Sequence, residues 1–140
     1  MNSIFQEQAR FSVNMIDYHL LPVESNEETI NVTISPVDSI TVTRRSLKDI
    51  VLSIRRSLKL EPVAVYALDV EVQILIGFEE GIDTSSMKDE EIIQAFKKSC
   101  GALIANVLSR VSILISTITS ANGQMPVITQ PVFIEPEQEK

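Results

Sequence analysis

The segment Tyr66–Phe78, YALDVEVQILIGF, alternates with a period of two along its whole length. Tyr66, Leu68, Val70, Val72, Ile74, Ile76 and Phe78 fall on one face, and Asp69, Glu71 and Gln73 on the other. A helix would scatter these residues around its axis; a strand gathers them into one dry and one wet face. A sheet that is dry on one side must be covered, so the rest of the chain has to supply that cover.

The cover is written downstream, where the period changes after EEGIDTSSMK. DEEIIQAFKKSCG carries acids at its start and lysines at its end, which suits the helix dipole. Gly101 marks a break. Beyond it, Ile104, Leu108, Val111, Ile115 and Ile118 recur at alternating spacings of four and three, the stripe of a long amphipathic helix. Leu103, Val107 and Leu114 widen that stripe beyond what one sheet face needs, and are expected at an oligomer interface. The β-branched run Val111–Thr119 keeps a strand open as the minor alternative. Asn122-Gly123 reads as a helix stop. The last stretch, QMPVITQPVFIEPEQEK, spaces prolines at 126, 131 and 136 among apolar residues, an extended strip that needs a surface to lie against.

Upstream, ARFSVNMIDYHLL alternates twice. Phe11, Val13 and Met15 share one phase; Ile16, Tyr18 and Leu20 follow in the other, so a strand with a bulge is expected. LPVESNEET is a loop. INVTI makes a short strand closed by Pro36, which SITVT extends or pairs with across SPVDS. SLKDIVLSIRRSLKLEP is ambiguous. Leu47, Ile50, Val51, Ile54 and Leu58 fit a helical stripe, and Ser46 with Asp49 resembles a capping box. Ile50, Leu52, Ile54, Leu58 and Leu60 fit a strand equally well, interrupted by Arg56 alone. The layout is α+β: strands first, then two helices on one face of an antiparallel sheet, then the strip.

The 140 residues carry a net charge of −7, which argues against a nucleic-acid partner. Six of the twelve basic residues lie between Arg44 and Lys59, a stripe suited to salt bridges across strands or subunits. Cys100 is the sole cysteine, so no internal disulfide forms and a reduced, cytoplasmic setting fits. The apolar stretch Gly101–Ile118 contains Asn106, Arg110 and several hydroxyls, so membrane insertion is not expected. His19 is the sole histidine, and no glycine-rich phosphate loop, nucleophile elbow or zinc spacing occurs. No enzyme activity and no cofactor or metal is expected. The acidic pairs read as solvated charge or dipole matching.

IVLSIRRSLKLEPVAVYALDVEVQILIGFEEG followed by ALIANVLSRVSILISTITSANGQMPVITQPVF resembles the SecB family of protein-export chaperones. The likeness rests on Glu71-Val72, on Phe78 at the family's spacing, on ANVLSR ending at Arg110, and on Gly123, Pro126, Pro131 and Phe133 or Ile134. It spans roughly residues 50 to 134. Val107 and Leu108 stand where the family's helix often has proline and tyrosine, which leaves room for a specialised relative serving one antitoxin. The resemblance implies a four-stranded antiparallel sheet, residues 47–60 as a strand, and one domain over 1–140 with flexible ends at 1–8 and 135–140. It implies an ATP-independent holdase that binds unfolded polypeptide, a preprotein or a dedicated client. It also implies a homo-oligomer, tetramer or dimer, and the translocation ATPase SecA as a partner. Glu71, its neighbour Asp69 and Glu24 are the implied partner-binding acids. Tyr18, Leu20, Leu21, Phe78, Met125 and Val127 are the expected client-binding residues. The competing reading is a non-catalytic structural or adaptor protein that reuses the fold.

Overall fold

The computed structural model describes residues 3–22, 31–121 and 125–136. Four strands, β1 (Phe5–Leu20), β2 (Thr33–Arg45), β3 (Asp49–Glu61) and β4 (Tyr66–Phe78), form one antiparallel sheet in the order β1-β4-β3-β2. Helices α1 (Asp89–Ser99) and α2 (Gly101–Ser120) follow and cover one face. The apolar series of β4 is buried from Tyr66 to Phe78, and that of β3 meets it across the ladder, Ile50 beside Ile76 and Leu52 beside Ile74. Directly paired residues share a face, so this register builds one continuous dry surface.

The ambiguous segment is a strand. Ser46 and Asp49 do not cap a helix. The Ser46 hydroxyl oxygen accepts from Asp49 N at 3.1 Å and donates to Asp49 Oδ1 at 2.8 Å, which closes the β2–β3 turn. The expectation that Pro36 closes a short strand is corrected: β2 runs through it, and Pro36 lies opposite Leu58. β2 is an edge strand, where a residue without an N–H leaves no inner ladder bond unmade.

β1 is one strand with two shifts in register, one between Phe5 and Ala9 and one between Val13 and Met15. Val13 pairs with Val72 and Ile16 with Val70, so Asn14 is the extra residue of a bulge. The two phases of the sequence thereby become one. Phe11, Val13, Ile16, Tyr18 and Leu20 all face the helix-bearing side, while Met15, opposite Glu71, faces the other. Phe5 is buried at the start of β1, so packing reaches into the segment 1–8 expected to be a flexible end. Glu135 is ion-paired to Lys97, and 137–140 lie outside the described residues.

Gly81 turns the chain from β4 toward α1 at φ +82°, a conformation open to glycine at little cost. In α1, Asp89, Glu90 and Glu91 occupy the first turn and Lys97 and Lys98 the last, with Ile92 and Phe96 buried. The chain bends at Cys100. α2 is long and apolar enough to cross a membrane by length and composition alone. Here Ile104, Val107, Leu108, Val111 and Ile115 are buried within the fold, which accounts for the stripe. The expected stop at Asn122-Gly123 lies outside the described residues, just beyond the helix end at Ser120.

Candidate functional site

Two arrangements of the helix-bearing side carry chemistry. The first is an open apolar groove between edge strand β1 and α2, with a volume of about 390 Å³. The bulge at Asn14 builds its floor, because it keeps Phe11 and Val13 in line with Ile16 and Leu20. α2 does not reach far enough to cover that row: Val13 is 48% exposed, Ile16 47% and Leu20 63%. Val107, Val111, Ile113 and Leu114 form the wall. The rim carries Arg110, whose guanidinium lies 5.3 Å from the Phe11 ring centroid, and whose Nε donates to Asn106 Oδ1 at 3.2 Å. A cavity of this size accepts a few aliphatic side chains, and its lining, with one cation at the rim, reads apolar surface rather than a particular polar group. Among the described residues no strand pairs with the outer edge of β1.

The second arrangement seats the C-terminal strip. Arg56 interrupts the apolar alternation of β3 and points into the interior, 0% exposed. Opposite it in the ladder stands Asp38, also 0% exposed. The two make a bidentate pair, Nε to Oδ1 and Nη2 to Oδ2, both 2.7 Å. Two further bonds of the guanidinium reach the strip: Nη1 to Gln130 O and Nη2 to Val132 O, each 2.7 Å. Nη1 also meets Thr129 Oγ1 at 3.2 Å and Ser112 Oγ of α2 at 3.4 Å. Asp38 completes the clamp. Its Oδ2 accepts from Ile134 N, and its own N donates to Ile134 O, both 2.8 Å. Nearer α2's end, Val127 N donates to Thr119 Oγ1 at 2.8 Å. The strip thus runs back along α2 on the β2–β3 side, and its far end is held where Lys97 lies 4.7 Å from the Phe133 ring centroid and pairs with Glu135.

The expected client-binding residues do not converge. Phe78 is 4% exposed and packs against Phe5 with ring centroids 5.7 Å apart, and Phe5 in turn meets Phe96 at 5.6 Å. It is core, and its assignment to a groove is corrected. Leu20 pairs with Tyr66 at the opposite end of β4, about 40 Å away at roughly 3.3 Å per strand residue. Tyr18 packs on Tyr66 with ring centroids 5.6 Å apart, and Leu21 N donates to Val65 O. Burial, then the nearby Tyr18, raises the Tyr66 phenol pKa. Met125 is exposed on the strip, and Val127 is half-buried against the core. The strip belongs to the β2–β3 side of α2, so it does not border β1.

Asp69 and Glu71 lie on the sheet's wet face as expected. Asp69 accepts from Ser57 and pairs with Arg55 at 3.2 Å; Glu71 accepts from Asn14 at 2.7 Å. Glu24 lies outside the described residues. The basic stripe is spent largely on ion pairs: Arg45 with Asp89, Arg55 with Asp69, Arg56 with Asp38 and Lys59 with Glu61. Of the three α2 residues expected at an interface, Val107 is fully buried and is corrected to core, since it continues the stripe between Ile104 and Val111. Leu103 and Leu114 are half-buried and pack on that core. Ile113, 65% exposed and lining the groove beside Leu114, is the apolar residue of α2 that the spacing passes over. Burial raises the Cys100 thiol pKa, which suppresses the thiolate. Among the described residues no group of three or more His, Cys, Asp or Glu could hold a metal ion.

Sequence reasoning missed Arg56 and Asp38 as a pair, although a lone arginine inside a strict apolar alternation was the available signal. It also missed Phe11 and Val13 as groove residues, because their significance depends on the bulge.

No family model and no curated protein matches the chain. Among solved structures, the chain is similar to the Rv1957 SecB-like chaperone of Mycobacterium tuberculosis in complex with a ChAD peptide from the Rv1956 HigA1 antitoxin. The TM-score is 0.59 at 13% identity, over 88% of this chain and 88% of that one. A protein of unknown function from Streptococcus agalactiae overlaps at a TM-score of 0.46 and 13% identity, over 90% and 98% of the two chains. The first likeness establishes a SecB-like fold.

Proposed function

We propose that this chain is an ATP-independent holdase that binds unfolded polypeptide in the groove between β1 and α2. The observation that carries the reading is the row of half-exposed apolar residues along one face of β1, continuous with an open apolar groove. A holdase must bind without reading sequence, and an apolar groove with almost no fixed polar groups does that. The SecB-like fold supports the reading, since the M. tuberculosis neighbour is a chaperone bound to an antitoxin peptide. The client is an unfolded preprotein or one dedicated protein such as an antitoxin, in the cytoplasm. In the first case Asp69 and Glu71 offer an acidic patch for the translocation ATPase SecA.

The test is suppression of aggregation of a chemically denatured protein on dilution, without nucleotide. Suppression at near-stoichiometric ratios is expected. Undiminished aggregation would leave the adaptor reading, for which the free edge of β1 is the supporting observation.

The protein acts as a homo-oligomer, tetramer or dimer, in this reading. Ile113 exposes its side chain at the edge of the groove, and the small residues Ala102, Ala105 and Ser109 continue the exposed side of α2. Ile113→Asp should therefore dissociate the assembly, because a carboxylate desolvated at an interface costs several kcal/mol, roughly. Gln94→Asp, an exposed position on α1, should leave it intact. Sedimentation of both variants at micromolar concentration checks this; equal behaviour counts against α2 as the contact.

A further inference from the structure

We propose that the C-terminal strip occupies a channel for extended backbone, and that an extended apolar segment of a bound client takes its place. The proposal rests on the holdase reading and adds a second contact surface on the β2–β3 side of α2.

The channel recognises main chain. Arg56 bonds the carbonyls of Gln130 and Val132, Asp38 bonds both main-chain groups of Ile134, and Thr119 accepts from the amide of Val127. Met125, Ile128 and Val132 meanwhile turn their side chains to solvent. Side chains add to the seat through Thr129, which meets Arg56 and Ser112, through Val127 and Phe133, which pack on the core, and through Glu135, which pairs with Lys97. The main-chain bonds need none of these, so an extended apolar segment can satisfy the same backbone donors and acceptors.

Burial makes replacement the mode of opening. With the strip simply lifted away, the Arg56 guanidinium, held inside the fold, loses both carbonyl partners, and a charged donor left unsatisfied is costly. A second backbone supplied by the client removes that cost. The strip is tethered to α2, which gives it a high effective concentration. Short contacts therefore fail to displace it, and only a polypeptide already held elsewhere, in the β1–α2 groove, competes. The channel thus favours long unfolded clients over short peptides.

The experiment is amide hydrogen exchange, followed by NMR in the full-length protein, with and without a saturating, permanently unfolded polypeptide (reduced and carboxymethylated). Binding is measured separately by fluorescence anisotropy. The amides of Val127 and Ile134 should change their exchange at least about tenfold when the polypeptide binds, because their bonds to Thr119 and Asp38 are broken. Amides of the β3–β4 ladder should not change. Binding with unaltered exchange at Val127 and Ile134 overturns the channel and leaves the groove reading standing. Absence of binding overturns both. A peptide corresponding to the segment 125–136 is a second probe. It should bind measurably better to the full-length variant Val127→Pro, whose own strip lacks the N–H that Thr119 accepts while the channel is unchanged, than to the wild type; equal or weaker binding counts against the proposal.

Discussion

Asp38→Ala should lower stability by about 3–5 kcal/mol, the largest effect expected of any polar substitution in this chain. The substitution leaves Arg56 charged, 0% exposed and without its bidentate partner. It also removes the acceptor for Ile134 N. Denaturant unfolding at fixed protein concentration reads the loss. Arg56→Met with Asp38→Leu should regain a large part of it, because two apolar residues of similar volume need no partners. The double variant should still fail to protect the amide of Ile134. Instability with a retained strip, or an unperturbed single variant, would contradict the clamp.

Phe78→Ala should cost about 3–5 kcal/mol, the range for truncating a buried aromatic. Phe78 closes one end of the core by packing on Phe5, which in turn meets Phe96 of α1 edge-on at 83°. The loss therefore reaches the start of β1 and the first helix together. A shift within about 0.5 kcal/mol, usual for surface positions, would instead mark Phe78 as a lining residue of some groove.

β4 was legible because seven alternating apolar residues, Tyr66 to Phe78, report the same buried face, and Leu75 alone of its large apolar residues lies on the other. The α1 dipole pattern and the α2 stripe were legible for the same reason: one period, one environment. Residues 47–60 were not, since Ile50, Val51, Ile54 and Leu58 satisfy both periods; the pairing of β3 with both β2 and β4 decides between them. The site was less readable still. Val13 and Ile16 stand in opposite phases of the sequence, and a single bulged residue, Asn14, brings them to one face. Phe78 matched a family spacing, yet spacing says nothing about whether an aromatic closes a core or opens a groove. The Arg56–Asp38 pair depends on a cross-strand register that joins residues from two strands. The strip's seat follows from that pair, which explains why an apolar, proline-spaced terminus lies against this fold.

If unfolded polypeptide is held on the β1–α2 groove, Val13→Asp should weaken its binding without unfolding the protein. Val13 is half-exposed, so the free protein should change stability by no more than about 0.5 kcal/mol. A bound apolar segment would bury the new carboxylate without a partner, which is strongly unfavourable. Fluorescence-anisotropy titration of a permanently unfolded polypeptide against wild type and variant should show affinity at least about tenfold weaker in the variant, a loss of about 1.4 kcal/mol or more. Equal affinity in two equally stable proteins would contradict the groove.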